Sequence, residues 1–561
     1  MKMAIGDLGS GKKLQYVSLF LSAIAILSGL NQAVRLRWTT DDAYISFRYA
    51  KNLIDGYGLV FNQGEYVEGF TNFLWTIMVA GGMKAGFFPE PFAIALGLLF
   101  FAGILFVLYR FSSLFQGNKV SWFPVAAMMF AVNHHAEVFA TSGLETSFYG
   151  FLVVLGSYFL YRNRGLSDQA LGLAILALSA MTRPDGLLFY ALASLFLLQR
   201  DWKIYKSDFK YFLKIHSFML AVFLPYWIWR MNYYGWLFPN TFYAKSGNKG
   251  YLKQGINYFI LYFSAYYVYI LLPVAAVYAR VRKISIDTRI VQYVLVPALM
   301  YGGYYTYVGG DFMFGRFYFP VVILLSVAME YYIRKLFGNW QLVLAGTVLI
   351  LMAHNFKDPY KGELFPVRMG IVDENIVYKP KQRNILIQKM KEWRDVFHKK
   401  NIRLAIYGSQ ALYAYYLEPP YVLEAATGLT DEYLAHRKVT ERGIIGHEKA
   451  ADMPYLRKRD IDITMGGMDF PDHETDYNKL AVRPLIGYGI IVKYDREKMT
   501  ALAGLGDFEF VDFEKYLDRY IRDMKNYPVH KIRKDFEEFR IYYFNHNNDP
   551  RAEAFYRVLG R

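Results

Sequence analysis

Apolar runs recur along the first two thirds of the chain, separated by short polar loops, and they stop near residue 354. A helix needs ~20 apolar residues to cross a bilayer, so runs of this kind predict transmembrane helices. The expected spans are 15–35, 91–112, 121–136, 146–162, 167–182, 185–200, 212–230, 254–279, 289–308, 318–335 and 340–355. The first carries no small-residue cleavage site and is expected to be a retained helix rather than a signal peptide. The stretch 71–88 is also apolar, and whether it spans decides the topology. If it lies along the interface or re-enters, the basic loops at Lys12/Lys13, Arg110/Lys119, Arg162/Arg164, Arg200 to Lys210, Arg280 to Lys283 and Arg334/Lys335 all fall on one side. That is the positive-inside pattern, and it predicts about eleven spans with the first outer loop at about 36–90.

Past residue 354 the pattern turns mixed and polar. The sequence therefore divides into a membrane domain, 1–354, and a soluble domain, 355–561, expected on the extracytoplasmic side. Within the latter, Ile402 to Gly408 reads as a strand ending in a glycine turn, Ala411 to Leu417 as a helix and Tyr421 to Leu423 as a second strand, a small α/β unit. The expected fold class is a polytopic α-helical membrane protein with a C-terminal soluble α/β domain.

Composition sharpens this picture. The 561 residues are 54% hydrophobic and 18% aromatic, with only 20% charged, which excludes an ordinary soluble enzyme. The net charge of +16 does not indicate nucleic acid, because many Lys and Arg residues sit in the short loops between apolar runs. Cysteine is absent, which excludes a disulfide framework, a thiolate zinc site and a cysteine nucleophile.

The polar positions of the proposed outer face carry the chemistry. Asp41-Asp42 follows the first span, and paired acids beside a membrane are costly to hold. Thr39-Thr40-Asp41-Asp42 also fits a helix N-cap, so capping and catalysis are both open at this point. His134-His135, Glu145, Arg183-Pro184-Asp185-Gly186, Pro239 to Lys245 and Asp311 to Arg316 recur on the same face. Each alone can be a turn, a snorkelling cation or an ion pair. Together they predict a polar cavity with acids and fixed cations. Arg316, Lys245 and Arg183 suit a phosphate, with Arg able to bind it through two parallel bonds. A carboxylate can take the proton from an attacking hydroxyl. A lipid phosphate is a good leaving group, so neither a cofactor nor a metal is expected to be required, though a divalent ion is compatible.

The string Asp41-Asp42-Ala43-Tyr44-Ile45-Ser46-Phe47-Arg48-Tyr49-Ala50, with Gly58 to Asn62 and Val67 to Trp75, resembles the membrane glycosyltransferases of the GT-C fold. Within them it is most similar to the mycobacterial terminal β-(1→2) arabinofuranosyltransferase family, which uses a decaprenyl-phosphate arabinose donor. The resemblance continues through Ser142 to Thr146, Arg183 to Gly186, Pro239 to Lys245, Gly310 to Arg316, Gly428 to Asp431 and Gly446 to Lys449.

It implies a GT-C enzyme of the cytoplasmic membrane whose first outer loop supplies the catalytic acid, Asp41 or Asp42. The implied donor site comprises Arg183, Lys245, Arg316, Asp311, Glu145, His134, His135 and Tyr44, and the acceptor side Glu68, Asn72 and His447. The partners implied are a polyprenyl-phosphate sugar, with arabinofuranose or a related pentose favoured, a cell-envelope polysaccharide or glycolipid acceptor, and membrane lipid. The chain is richer in Lys, Tyr, Asn and Phe than actinobacterial members, which leaves the acceptor open. A β product from a β donor requires retention, whereas a lone base inverts, and the adjacent acids fit either. The competing expectations are a transporter or flippase for lipid-linked glycans, which should show internal repeats, and a non-catalytic subunit, which would not need the acid pair.

Overall fold

The computed structural model describes residues 3–115, 124–245, 251–337, 358–361, 367–377, 380–408, 411–439, 448–466, 474–483 and 488–560. The boundary expected near residue 354, the span expected at 340–355, Lys119 and His447 lie outside them. The chain forms two compact units, each discontinuous in sequence. The first comprises Met1–Ala43, Thr71–Gly235 and Lys249–Lys379; the second comprises Tyr44–Phe70, Trp236–Asn248 and Pro380–Arg561.

The first unit is predominantly helical. Pro89–Phe115 and Phe209–Tyr234 are long and apolar enough to cross a membrane, and a third span is counted if Leu252–Ala265 and Tyr267–Val281, bent by 97°, act as one. Among the described residues this is fewer than the apolar runs suggest, and some of the runs are broken locally. The run at 121–136 is split into Val125–Ala131 and His134–Phe139. A single π-helical turn sits within the spanning helix Phe209–Tyr234 at Met219–Phe223, and another interrupts a further run at Val291–Leu295, each followed by a helix with proline in its first turn. Phe73–Lys84 has 12 residues, a length of about 18 Å at the helical rise and well short of a ~30 Å hydrocarbon core.

Thr146–Arg162 packs on both Pro89–Phe115 and Leu166–Thr182. The second contact is close because Gly156 and Gly172 face each other; a Cβ on either would lie 3.1 Å from the other's carbonyl oxygen. Small residues of this kind let helix backbones approach where no hydrophobic gradient drives association. Phe319–Phe337 runs through the interior, and its Glu330, fully buried, accepts from Ser112 Oγ at 2.6 Å, the Ala126 amide at 2.9 Å and Arg334 Nε at 2.7 Å.

Two short strands close the first unit, β1 (Val367–Arg368) and β2 (Ile371–Val372), paired antiparallel. The Val372 amide donates to Phe312 O at 2.7 Å and its carbonyl accepts from the Phe314 amide at 2.9 Å. The segment leading to Glu374 is thereby fixed alongside the loop that carries Asp311 and Arg316.

The second unit is built on a six-stranded mixed sheet. Its strands are β3 (Arg403–Tyr407), β4 (Tyr421–Glu424), β5 (Ile463–Gly466), β6 (Lys479–Val482), β7 (Tyr488–Ile490) and β8 (Phe508–Phe510), in the order β4-β3-β5-β7-β6-β8. β3 pairs parallel with both β4 and β5; the remaining pairs are antiparallel. The strand–helix–strand unit expected at 402–423 is present, with helix Ala411–Tyr416 joining β3 to β4. β4 and β5 are buried along their whole length, as strands covered on both faces should be.

Candidate functional site

Asp42 opens the helix Asp42–Ile54, and Asp41 immediately precedes it. The cap reading of the acid pair is therefore realised in position. The two differ in exposure: Asp41 is 6% exposed, while the Asp42 side chain keeps 30%. Arg316 faces Asp42, with Nη1 3.4 Å from Asp42 Oδ2. The same guanidinium lies 3.7 Å from Glu145 Oε1 and 4.0 Å from Asp311 Oδ2. Polar clusters far apart in sequence thus converge on one arginine.

Arg183 stands behind them in a tighter network. Its Nε and Nη2 fork onto Asp185 at 3.2 and 3.1 Å, Nη1 donates to Glu145 at 2.9 Å, and Nη2 also meets the Tyr305 hydroxyl at 3.0 Å. Tyr301 donates to Asp185 at 2.9 Å, and Tyr305 donates to the same carboxylate. The turn needs Gly186, because a Cβ there would lie 2.5 Å from the Ala180 amide nitrogen. Asn72 donates to Glu145 Oε2 at 2.9 Å.

The two arginines are therefore not equivalent. Arg183 is bonded around its fork. Arg316 makes only long contacts to carboxylates, donates through Nη1 to the Met313 sulfur at 3.3 Å, and its buried Nε has no hydrogen-bond partner. Burial alone would raise the Glu145 carboxyl, but Arg316, Arg183 and the Asn72 amide outweigh it and hold it below the usual carboxylate range. Glu145 is thus a fixed negative charge between two guanidiniums.

Glu374, which sequence reasoning did not single out, joins this group. It is buried and accepts from Thr40 Oγ1 at 2.8 Å. Burial and the Asp42 carboxylate push its carboxyl well above the usual range, against the Thr40 bond. Burial and the neighbouring Asp42 thus favour its neutral form. A signal existed: Asp373-Glu374 is another adjacent acid pair opening a short helix.

His135 also lies in the first unit. Its Nδ1 is 2.6 Å from the Tyr266 hydroxyl, its Nε2 3.6 Å from Asp373, and the His134 ring is adjacent to it.

Tyr44, Glu68 and Lys245 belong to the second unit. The Tyr44 ring is packed on Phe47, Tyr415 and Tyr416. Glu68 is buried, and its carbonyl accepts from the Asn240 amide at 3.0 Å. Lys245 is exposed at the end of helix Asn240–Lys245. Among the described residues, no group of three or more His, Asp or Glu side chains could hold a metal ion.

With this geometry in view, two proteins named terminal β-(1→2)-arabinofuranosyltransferase stand out. The one from Mycobacterium tuberculosis is 30% identical over 347 residues, 54% of this chain and 53% of that protein. The chain resembles the terminal β-(1→2) arabinofuranosyltransferases. The Corynebacterium glutamicum protein of the same name is 25% identical over 415 residues, 62% of this chain and 57% of that protein. The chain thus spans a little over half the length of the curated relatives it matches. No protein-family model matches it.

The fold is that of ArnT from Cupriavidus metallidurans. The crystal structure of that protein bound to undecaprenyl phosphate aligns with a TM-score of 0.52 over 85% of this chain and 97% of ArnT, at 11% identity. The apo form aligns with a TM-score of 0.51.

Proposed function

We propose that the chain is a membrane glycosyltransferase that moves a sugar, a pentose such as arabinofuranose, from a polyprenyl-phosphate donor to a cell-envelope glycan. The observation that carries this reading is Arg316, a buried guanidinium with an unspent donor, facing the most open of the carboxylates around it. A donor phosphate takes the N–H groups of Arg316, because charge-assisted bonds there fill the unpartnered Nε and replace carboxylate contacts of 3.4 Å or longer. Arg183 keeps its own carboxylates and orients Glu145. Asp42 is then released to accept the proton of the acceptor hydroxyl, whose oxygen attacks the anomeric carbon. The carbon–oxygen bond to phosphate breaks, and polyprenyl phosphate leaves with both electrons of that bond. Arg316 stabilises the charge developing on the phosphate.

The similarity to arabinofuranosyltransferases supports the sugar, and the lipid bound by ArnT supports the donor class. The alignment of basic loops on one side and the acid–arginine clusters on the other supports about eleven spans, with the site and the C-terminal part outside the cytoplasmic membrane.

The test uses membranes carrying the full chain and a labelled polyprenyl-phosphate arabinofuranose. Asp42→Asn is expected to lower transfer by about 10² to 10⁴-fold, while Asp41→Asn changes it less. Equal transfer by Asp42→Asn and the parent defeats this reading. Movement of the label across vesicles without transfer by the parent chain points instead to a lipid-linked glycan transporter.

A further inference from the structure

The second unit holds a cleft of about 630 Å³, none of whose lining residues takes a part in the transfer proposed above. Its rim is aromatic: Trp236, Tyr433 and Tyr66 line it and keep 37%, 56% and 52% of their surfaces exposed. These rings are held in place rather than loose. Trp236 lies tilted against His436 at 4.2 Å between centroids, with Tyr243 against His436 at 4.3 Å, and Tyr433 is stacked on Tyr455 at 4.7 Å.

The floor is polar and ordered. Asp431 is buried, accepts from the Tyr455 hydroxyl at 2.8 Å and caps its helix through the Leu434 amide at 2.9 Å. Arg459 bridges Glu65 at 2.5 Å and Asp431 at 3.5 Å. The loop that presents Thr430 and Asp431 is clamped by one side chain, Asn240, whose amide faces the carbonyls of Gly428, Leu429 and Asp431 at 3.0, 2.9 and 3.2 Å. Thr430 lines the cleft at 2% exposure, and its buried hydroxyl has no hydrogen-bond partner. A buried hydroxyl without a partner is costly, so a ligand group reaching it would supply the missing bond.

We infer that this cleft is a binding site for a neutral saccharide chain. Around the cleft Glu65, Asp431 and Glu432 stand against Arg459 and Arg437, and Arg459 bridges the two floor acids, so the lining has no cationic surplus for a nucleic acid or phosphate and no large acidic surplus for a basic peptide. An apolar ligand would bury Asp431, Arg459 and Thr430 against nothing they can bond. A polyhydroxylated ligand satisfies both halves. The C–H faces of its rings lie on Trp236 and Tyr433, while its hydroxyls donate to carboxylates and accept from Arg459 or Thr430. The site does not depend on the transfer chemistry proposed for the first unit, since all its residues belong to the second.

The test is calorimetric titration of the detergent-purified full chain with neutral tetrasaccharides of arabinofuranose, galactofuranose and mannopyranose. Binding of at least one is expected, weakened about tenfold or more by Trp236→Ala and by Tyr433→Ala. Thr430→Val, which keeps the shape and removes the hydroxyl, is expected to weaken it several-fold without shifting the melting temperature. Asp42→Asn should leave it unchanged, so loss of transfer and loss of saccharide binding are read separately. Binding of none of the three sugars overturns the inference, as does binding that Trp236→Ala, Tyr433→Ala and Thr430→Val all leave intact.

Discussion

The two units solve opposite problems. In the first, charge is gathered at the ends of apolar helices and almost wholly enclosed; the Arg183 network is completed by protein groups, and Arg316 keeps a buried Nε without a hydrogen-bond partner. In the second, aromatic faces are left open over a floor where Arg459 bridges Glu65 and Asp431. The first arrangement stores electrostatic potential and suits a reaction that separates charge. The second stores surface and suits recognition of something uncharged. Substitutions should therefore act on rate and stability in the first unit and on affinity in the second.

The largest effect is expected at Asp42. Its conversion to Asn changes no volume and leaves Arg316 paired with Glu145 and Asp311, so the melting temperature should hold while transfer falls by about 10² to 10⁴-fold. A parallel fall in melting temperature would place Asp42 in the scaffold and dissolve the contrast between a reactive and a structural carboxylate.

Arg183 and Arg316 divide the first unit more finely. Arg183→Ala strands Asp185 without its cation and leaves Glu145 only the longer contact to Arg316, and breaking a buried pair of this kind costs about 3–5 kcal/mol. Arg316→Lys keeps a charge but loses the fork. It should fold normally and weaken donor use by about 10- to 100-fold, because a point charge cannot reproduce bidentate phosphate contact. Thermal unfolding in detergent and the donor concentration dependence of transfer separate the two. If Arg316→Lys unfolds and Arg183→Ala does not, the roles are reversed.

Much of the first unit's cluster was legible in the sequence, because polar residues at the ends of apolar runs are conspicuous. Asp42, Glu145, Arg183, Asp311 and Arg316 could all be named from that contrast. Tyr301 and Tyr305 could not, since a tyrosine inside an apolar run reads as a membrane-facing residue until a partner such as Asp185 is known. Glu374 was hidden differently: it follows the expected end of the membrane domain, and only the backbone bonds between Val372 and the 312–314 loop bring it to Asp42. The cleft of the second unit was hidden for the same tertiary reason. Pro239 to Lys245 and Gly428 to Asp431 were each visible as strings, but the clamp of Asn240 on the second string is a contact across almost two hundred residues. The breaks in the helices escaped because a single π turn leaves the apolar pattern intact.

The smallest expected effect tests why Glu374 favours its neutral form. Its folded-state carboxyl titrates well above the unfolded value because it is buried and sits beside Asp42. Below the unfolded carboxylate range both states hold the proton and the group is neutral to stability. As pH rises past that range the unfolded chain releases its proton while the folded chain keeps it, so the group increasingly opposes folding until the folded form also ionises. Glu374→Gln keeps the acceptor for Thr40 and removes the titration. The variant should match the parent near pH 4 and become more stable toward neutral pH, by on the order of 1 kcal/mol. Melting temperatures of the two proteins across that range give the comparison directly. A constant offset at every pH would mean that Glu374 acts through packing alone, and that Asp42 shares its surroundings with a second ionised acid.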